Sequence, residues 1–185
     1  MSDGSATPIR VDLPSVSAIR RAELADTAAL TDLVNRAYAI EVFFADGPRT
    51  TADEIATLIG AGEFLVLDHA GGLGAAVLVR GPGESGGAAP AGASSAYFGM
   101  LSVVPELQGR GLGRQIVQLV EATAEAAGAT SMRLRVINLR EELVRWYHSL
   151  GYRELATTPY THRPVKLACH FIEMAKPLGA ENSSR

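Results

Sequence analysis

Apolar positions recur along the chain with two periods, and the switches between them outline its elements. From Glu23 to Ala39 they fall at Leu24, Ala28, Leu30, Leu33, Val34, Ala37 and Tyr38, the spacing of a helix that buries one face. A short strand, Ile19–Arg21, precedes it. Glu41–Arg49 mixes aromatic residues with Asp46, Gly47 and Pro48 and reads as a loop. Thr50 or Thr51 caps a second helix over Ala52–Ile59, with Asp53 and Glu54 near the positive end of its dipole. Glu63–Leu67 and Leu73–Arg80 are apolar runs joined by Asp68-His69-Ala70-Gly71-Gly72, a hairpin pattern.

Ala96–Val104 reads as a buried strand that stops at Pro105. Leu112–Ala127 is a helix with Ile116, Val117, Leu119, Val120 and Ala124 on one side and Gly128 as its stop. In Ser131–Ile137, Met132, Leu134 and Val136 alternate with Arg133 and Arg135, the pattern of a strand with a charged face, which a sheet edge explains as well as substrate binding does. A helix over Arg140–Leu150 ends at Gly151, and Tyr152–Leu155 and His170–Met174 are closing strands. The order β-α-α-β-β-β-α-β-α-β-β predicts an α/β (α+β) fold, a central mixed sheet flanked by helices on both faces.

Composition narrows the function. A chain of 185 residues suits one domain, expected over residues 17–178 between loose tails at 1–16 and 179–185. A net charge of −3 provides no global basic field, which argues against a nucleic-acid partner. No apolar run approaches the roughly 20 residues of a membrane span, and the N-terminus has no apolar signal core. A cytoplasmic protein without a membrane partner is expected. The single cysteine, Cys169, excludes an internal disulfide and a Cys-rich zinc site. The four histidines show no ligand spacing, so no metal is expected. Glycine is in excess, 19 of 185, but five of these fall in the small-residue stretch Gly81–Ser95, which reads as a flexible loop.

Three others sit where a strand hands over to a helix, in Val103-Val104-Pro105-Glu106-Leu107-Gln108-Gly109-Arg110-Gly111-Leu112-Gly113-Arg114. Successive amides in such a turn converge on one concavity, and the helix start adds partial positive charge. Arg110 and Arg114 add full charges. This is the chemistry of a phosphate cradle. A nucleoside-triphosphate loop would end in Gly-Lys-Ser/Thr, and Gly113-Arg114-Gln115 does not. A dinucleotide fingerprint would need a further glycine at 114 or 116, where Arg114 and Ile116 stand.

Gln108-Gly109-Arg110-Gly111-Leu112-Gly113 resembles the Q/R-x-x-G-x-G/A acyl-CoA loop of the GCN5-related N-acetyltransferase (GNAT) superfamily. Leu101–Pro105 resembles that family's fourth strand, and Asn138 followed by Trp146-Tyr147-His148-Ser149-Leu150-Gly151-Tyr152 resembles its N…-[FL]-Y-x-x-x-G-[FY] segment. The resemblance spans about residues 19–177 and is strongest over 100–152. It implies a twisted mixed sheet whose fourth and fifth strands splay around an acyl-CoA. It further implies pantetheine pairing with Val103 and Val104 and pyrophosphate contacts from Gln108, Gly109, Arg110, Gly111, Leu112, Gly113 and Arg114. Asn138 joins the implied cofactor-binding set, and Tyr147 takes the position of the acid that serves the leaving sulfur. Asn138 and Tyr147 are nine residues apart where the family usually has seven.

Transfer from a thioester to an amine requires a neutral nucleophile, a donor for the thioester oxygen and a proton for the leaving thiolate. The amide of Val103 or Val104 is the candidate oxyanion donor, and Tyr147, a phenol protonated at neutral pH, is the candidate acid. The fourth strand carries no acid or histidine to act as base. Glu106 reads as a solvated turn residue, His148 as pointing elsewhere on its helix than Tyr147, and His162 and His170 as structural or exposed side chains. Glu41, Phe43, Phe44, Asp46 and Tyr160 form the expected acceptor wall, aromatic and negative, suited to an amine rather than an acidic substrate. The expected function is therefore an acetyl-CoA-dependent N-acetyltransferase acting on a primary amine of a small molecule, peptide or protein, with a possible homodimer as its assembly. The alternative is a non-catalytic acyl-CoA-binding sensor or regulatory module.

Overall fold

The computed structural model describes residues 19–82 and 94–179. The tail read at 1–16, nearly all of the tail at 179–185 and most of the loop at 81–95 lie outside the described residues. The strands are β1 (Ile19–Arg21), β2 (Phe64–His69), β3 (Gly72–Arg80), β4 (Ser95–Val103), β5 (Ser131–Ile137), β6 (Arg153–Pro159) and β7 (His170–Pro177). They form one sheet in the order β1-β2-β3-β4-β5-β7-β6. Only β4 and β5 pair in parallel; every other neighbour is antiparallel. Helices α1 (Thr27–Ala37), α2 (Ala52–Gly60), α3 (Leu112–Ala126) and α4 (Glu141–Ser149) complete the domain.

The two faces of the sheet carry separate cores. Leu30, Leu33 and Val34 of α1 and Ile55 and Ile59 of α2 pack on Phe64, Val66, Ala76, Leu78 and Met100. On the opposite face Ile116, Val117 and Val120 of α3 and Tyr147 of α4 pack on Val77, Phe98, Met132 and Leu134. Period-two alternation in the strands supplies both faces. Thr51 is the cap of α2, its hydroxyl accepting the Glu54 amide at 3.2 Å.

Several boundaries differ from the sequence reading. The predicted helix over Glu23–Ala39 is a 3₁₀ turn at Leu24–Asp26, then α1, then a second 3₁₀ stretch at Ala39–Phe43 that begins the expected loop. A reciprocal cap causes the first break: the Glu23 amide donates to the Asp26 carboxylate at 2.7 Å. Leu24 consequently lies outside the buried face, at 65% exposure. The closing strands are longer than expected, and Tyr152 precedes β6 as a fully buried anchor. Its hydroxyl donates to Glu121 of α3 at 2.6 Å, and Lys176 of β7 binds the same carboxylate at 2.7 Å. Arg133 and Arg135 are not at a sheet edge: β5 is interior, between β4 and β7.

Two irregularities in β4 shape the site. First, β4 pairs with β5 only at Ser95, Ala96 and Tyr97, while β5 stays paired with β7 as far as Ile137. From Phe98 onward the edge of β4 toward β5 is open. Second, β4 carries an extra residue relative to β3: Ala76 faces Ser102 and Leu78 faces Gly99. Met100 sits in this bulge at φ 47°, and the Ser102 hydroxyl donates to its carbonyl at 3.0 Å. A bulge bends its strand and raises the local twist, so β4 turns away from β5 where the pairing stops.

Candidate active site

The split between β4 and β5 receives residues from both faces of the sheet. A cleft of about 220 Å³ is lined by Tyr38, Glu41, Arg49 and Glu54 from the α1–α2 side, by Tyr97 and Gly99 of β4, and by Arg133 and Arg135 of β5. Tyr147 lines it from the α4 side. Gly99 is needed here for a steric reason: a Cβ would lie 2.7 Å from the Tyr97 hydroxyl, which folds over it.

At the mouth of the split, Val104 leads into a 3₁₀ turn at Pro105–Leu107 and then to α3. Gly109 (φ 69°) and Gly111 (φ 86°) are both left-handed, and Gly111 is the N-cap of α3. Among the described residues, the amides of Gly109, Arg110, Gly111, Leu112, Gly113 and Arg114 have no hydrogen-bond acceptor. Alternation of left-handed glycines with ordinary residues turns successive N–H groups to one side. The result is a concavity of unmet donors at a helix start, which attracts an anion. Arg110 and Arg114 are exposed beside it and form no ion pair among the described residues. Leu112 differs: its side chain is buried in the core under α3, so only its backbone faces the turn. Gly113 has no left-handed backbone, and a Cβ there would meet Trp146 at an ordinary 3.7 Å. The Gln108 side chain donates to the Val103 carbonyl at 2.8 Å, which ties the turn to the end of β4.

The two amides proposed for the thioester oxygen separate. Val104 donates to the Gly74 carbonyl at 2.9 Å and is consumed by the β3 ladder. Adjacent backbone groups of a strand point to opposite edges, so the Val103 N–H faces the open side. Asn138 is engaged in the framework: its side-chain carbonyl accepts the His170 amide at 2.9 Å and its own amide donates to the His170 carbonyl. It pins the end of β5 to the start of β7.

Tyr147 is held by aromatic contacts with Trp146 (4.8 Å), Tyr152 (5.8 Å) and Phe98 (6.1 Å). Its hydroxyl has no hydrogen-bond partner among the described residues and lies at the cleft. Burial raises its pKa well above the ordinary tyrosine range, reinforced by the nearby Tyr38 and Tyr97, so the phenol stays protonated. Tyr38, packed under the Arg49 guanidinium at 5.4 Å, is likewise pushed up to about 12 by burial.

The expected acceptor wall is only partly assembled. Glu41 and Tyr160 line the cleft, but Glu41 is buried and bound to Arg163 at 2.7 Å. Burial raises its pKa while Arg163 opposes the rise. Phe44 is completely buried in a small cluster with Ala45 and Ile137 and offers no surface to a ligand. Phe43 is exposed. Asp46 points outward and pairs with Lys166 at 3.0 Å. The wall is not negative: five arginines line the cleft (Arg49, Arg80, Arg133, Arg135, Arg140) against three glutamates (Glu41, Glu54, Glu173).

His162 is exposed, in keeping with its sequence reading, but it also borders the cleft, which that reading did not anticipate. It lines the cleft with its ring against Tyr160 (5.6 Å) and Phe171 (5.3 Å). Partial loss of hydration lowers its pKa, and the charges of Arg49, Arg135 and Arg163 lower it further, against an opposing effect of Glu54. Nothing local in the sequence marks it, because it lies in the β6–β7 connection, far along the chain from its neighbours. His148 instead turns to the Tyr152 carbonyl and Glu154. Among the described residues no cluster of three or more His, Cys, Asp or Glu side chains could hold a metal, and no helix is long and apolar enough to cross a membrane.

The chain thus combines a mixed sheet split between β4 and β5 with a helix start of unmet amides just beyond the open strand. The family model of the acetyltransferase (GNAT) domain matches residues 60–154, just over half of the chain, and the chain belongs to that family. Solved structures share the fold over most of their length. The yncA protein of Salmonella typhimurium, determined with its cofactor acetyl-CoA, superposes with a TM-score of 0.67 at 21% identity, over 90% of this chain and 96% of that one. The ribosomal-protein-S18-alanine N-acetyltransferase of Escherichia coli gives 0.64 at 20% identity, over 90% and 98%. Naa20 of Chaetomium thermophilum, in complex with a bisubstrate analogue, gives 0.65 at 18% identity, over 86% of each chain. No curated protein matches the chain in sequence.

Proposed function

We propose that this protein transfers an acetyl group from acetyl-CoA to a primary amine of a small molecule, peptide or protein, by direct attack within a ternary complex. The observation that carries this reading is the run of six amides from Gly109 to Arg114 without acceptors among the described residues, placed just beyond the end of β4, the strand whose open edge borders the cleft that Tyr147 lines. That run would hold the pyrophosphate, with Arg110 and Arg114 adding charge from its rim. The open edge of β4 would pair with the pantetheine arm, and the acetyl group would then reach the cleft. The Val103 amide would donate to the thioester oxygen, supporting the charge that develops there. Tyr147 would donate a hydrogen bond to the leaving thiolate, a role open to it because its raised pKa keeps the phenol protonated.

The acceptor ammonium must lose a proton before attack. His162, kept neutral at neutral pH by its lowered pKa, is the proton acceptor in this reading. Glu41 is not, because Arg163 already occupies it. In this reading residues 17–178 form the catalytic domain. The acetyl-CoA-bound neighbour from Salmonella typhimurium and the N-acetyltransferases among the similar folds support the choice of donor and reaction. The test is release of free thiol from acetyl-CoA across a panel of amines. The expected result is amine-dependent release that saturates in both substrates. A thermal upshift with acetyl-CoA and no release with any amine would overturn the enzymatic reading in favour of a sensor.

A further inference from the structure

The acceptor side of the cleft is rich in arginine although the whole chain is acidic, and two of these guanidinium groups are not fully engaged by carboxylates among the described residues: Arg133 and Arg49. Arg133 and Arg135 share one carboxylate, Glu173, at 2.8 and 3.0 Å. Nη1 of Arg133, on a side chain more than nine-tenths buried, has no hydrogen-bond partner. Arg49 is half-buried and lies over Tyr38, with no carboxylate partner among the described residues. Glu41 and Glu54 line the same cleft, but Glu41 is in contact with Arg163 and Glu54 accepts from the Thr50 hydroxyl, and neither forms an ion pair with Arg49. A buried guanidinium nitrogen without an acceptor, with the half-buried Arg49 lining the same cleft, is costly unless an anion completes the site.

Resting on the acetyl-transfer reading above, we propose that the acceptor carries an anionic group close to its amine, a carboxylate or a phosphorus oxyanion, and that Arg49 is the principal residue selecting it. Two features separate this subsite from the donor's phosphates. It lies on the α1–α2 face of the sheet, whereas the Gly109–Arg114 turn opens α3 on the other face. Its Arg49 and Arg135 line the same cleft as His162, the proton acceptor in that reading. An acceptor anchored at Arg49 would present its amine toward His162. The guanidinium plane suits either oxyanion, since both offer two coplanar acceptor oxygens.

The experiment compares α-amino acids with their α-amides, and glycine with aminomethylphosphonate, as acceptors for wild-type protein and Arg49→Gln, with acetyl-CoA affinity measured in parallel. Amides have the less basic amine, so intrinsic reactivity at neutral pH favours them, and any preference for the acids comes from the site. We expect kcat/KM for acids to exceed that for matched amides by about tenfold or more, and Arg49→Gln to erase most of that ratio. The glycine and phosphonate arms tell which oxyanion the site prefers. Equal or better turnover of amides by the wild type overturns the proposal. So does a loss of acetyl-CoA affinity in Arg49→Gln as large as the loss of the ratio, which would place Arg49 on the donor instead. If no acceptor in the panel is turned over, calorimetric binding of the same acids and amides to the CoA-loaded protein decides: tighter acids support the proposal, and equal or tighter amides overturn it. Failure of acetyl-CoA itself to bind counts against the acetyl-transfer reading, which the parallel affinity measurement reports separately.

Discussion

Replacing Gly111 and Gly113 by alanine, one at a time, separates two roles that the glycine-rich turn combines. Gly111 sits at φ 86° with nothing within 4 Å of an added Cβ. No clash arises in the folded protein, so the penalty is the left-handed backbone alone, about 1–2 kcal/mol for a residue with a side chain. In a domain of this size that lowers Tm by about 2–8 °C. The new methyl would stand in open space beside the amides that have no acceptor among the described residues. If those amides hold a pyrophosphate, the methyl would displace at least one charge-assisted hydrogen bond, worth about 1.5–3 kcal/mol, and raise the acetyl-CoA Kd by roughly 10- to 100-fold. Gly113 has ordinary helical backbone, and its added Cβ would touch Trp146 at 3.7 Å. Alanine is the better helix former by about 0.5–1 kcal/mol, so Gly113→Ala should leave Tm unchanged or raise it by up to about 4 °C. Scanning calorimetry with and without acetyl-CoA measures both quantities. A Gly111→Ala protein as stable as wild type with unchanged affinity, or a Gly113→Ala protein less stable than Gly111→Ala, would refute the reasoning.

Other substitutions probe the chemistry and the frame. Tyr147→Phe keeps the ring packed against Trp146, Tyr152 and Phe98; kcat should fall about 100-fold with little change in Tm, and full activity would remove Tyr147 from the reaction. His162→Gln should lower kcat/KM about 100-fold at neutral pH and abolish the acid limb of its pH profile. In wild type that limb should lie below the ordinary histidine value near 6.5, because protonation occurs only beneath the lowered pKa. A wild-type limb above that value would contradict the assignment. Arg163→Gln leaves Glu41 buried without its partner and should cost about 3–5 kcal/mol in urea unfolding at neutral pH. Burial already holds the Glu41 pKa above its unfolded value. The native state therefore binds the proton more tightly, and this group's contribution to stability falls as pH rises from the unfolded pKa through the folded one. Loss of Arg163 raises the folded pKa further, so the variant's deficit should be larger at pH 8 than at pH 5.

The parts of the site legible in the sequence are those built from one continuous segment. The path from β4 through Pro105 and the alternating glycines into α3 spans a dozen residues, so its local geometry, a turn with left-handed glycines at a helix start, was legible from one segment. The placement of Tyr147 on a short helix, α4, was legible for a similar reason. The acceptor side was misread because its character depends on pairings between distant segments. Glu41 looks like a free carboxylate until Arg163, 122 residues later, is placed against it. Arg133 and Arg135 look like an edge until β7 pairs alongside and brings Glu173 between them. Phe44 reads as a pocket aromatic, yet the small cluster with Ile137 buries it completely. His162 has no local pattern at all and acquires its role only from the rings and arginines that surround it. The break in α1 at Thr27 was missed because Glu23–Ala39 has continuous helical periodicity, and the reciprocal cap with Asp26 overrides it.

The central claim is that the Gly109–Arg114 amides hold the pyrophosphate of an acyl-CoA. The most direct measurement is isothermal titration of the wild-type protein with acetyl-CoA and with S-acetylpantetheine, which has the same thioester and arm but no pyrophosphate. Six donors and two arginines facing a dianion predict that acetyl-CoA binds at least about 100-fold more tightly, and that Gly111→Ala removes much of this advantage. Equal affinities for the two ligands, or no binding of acetyl-CoA, would contradict it.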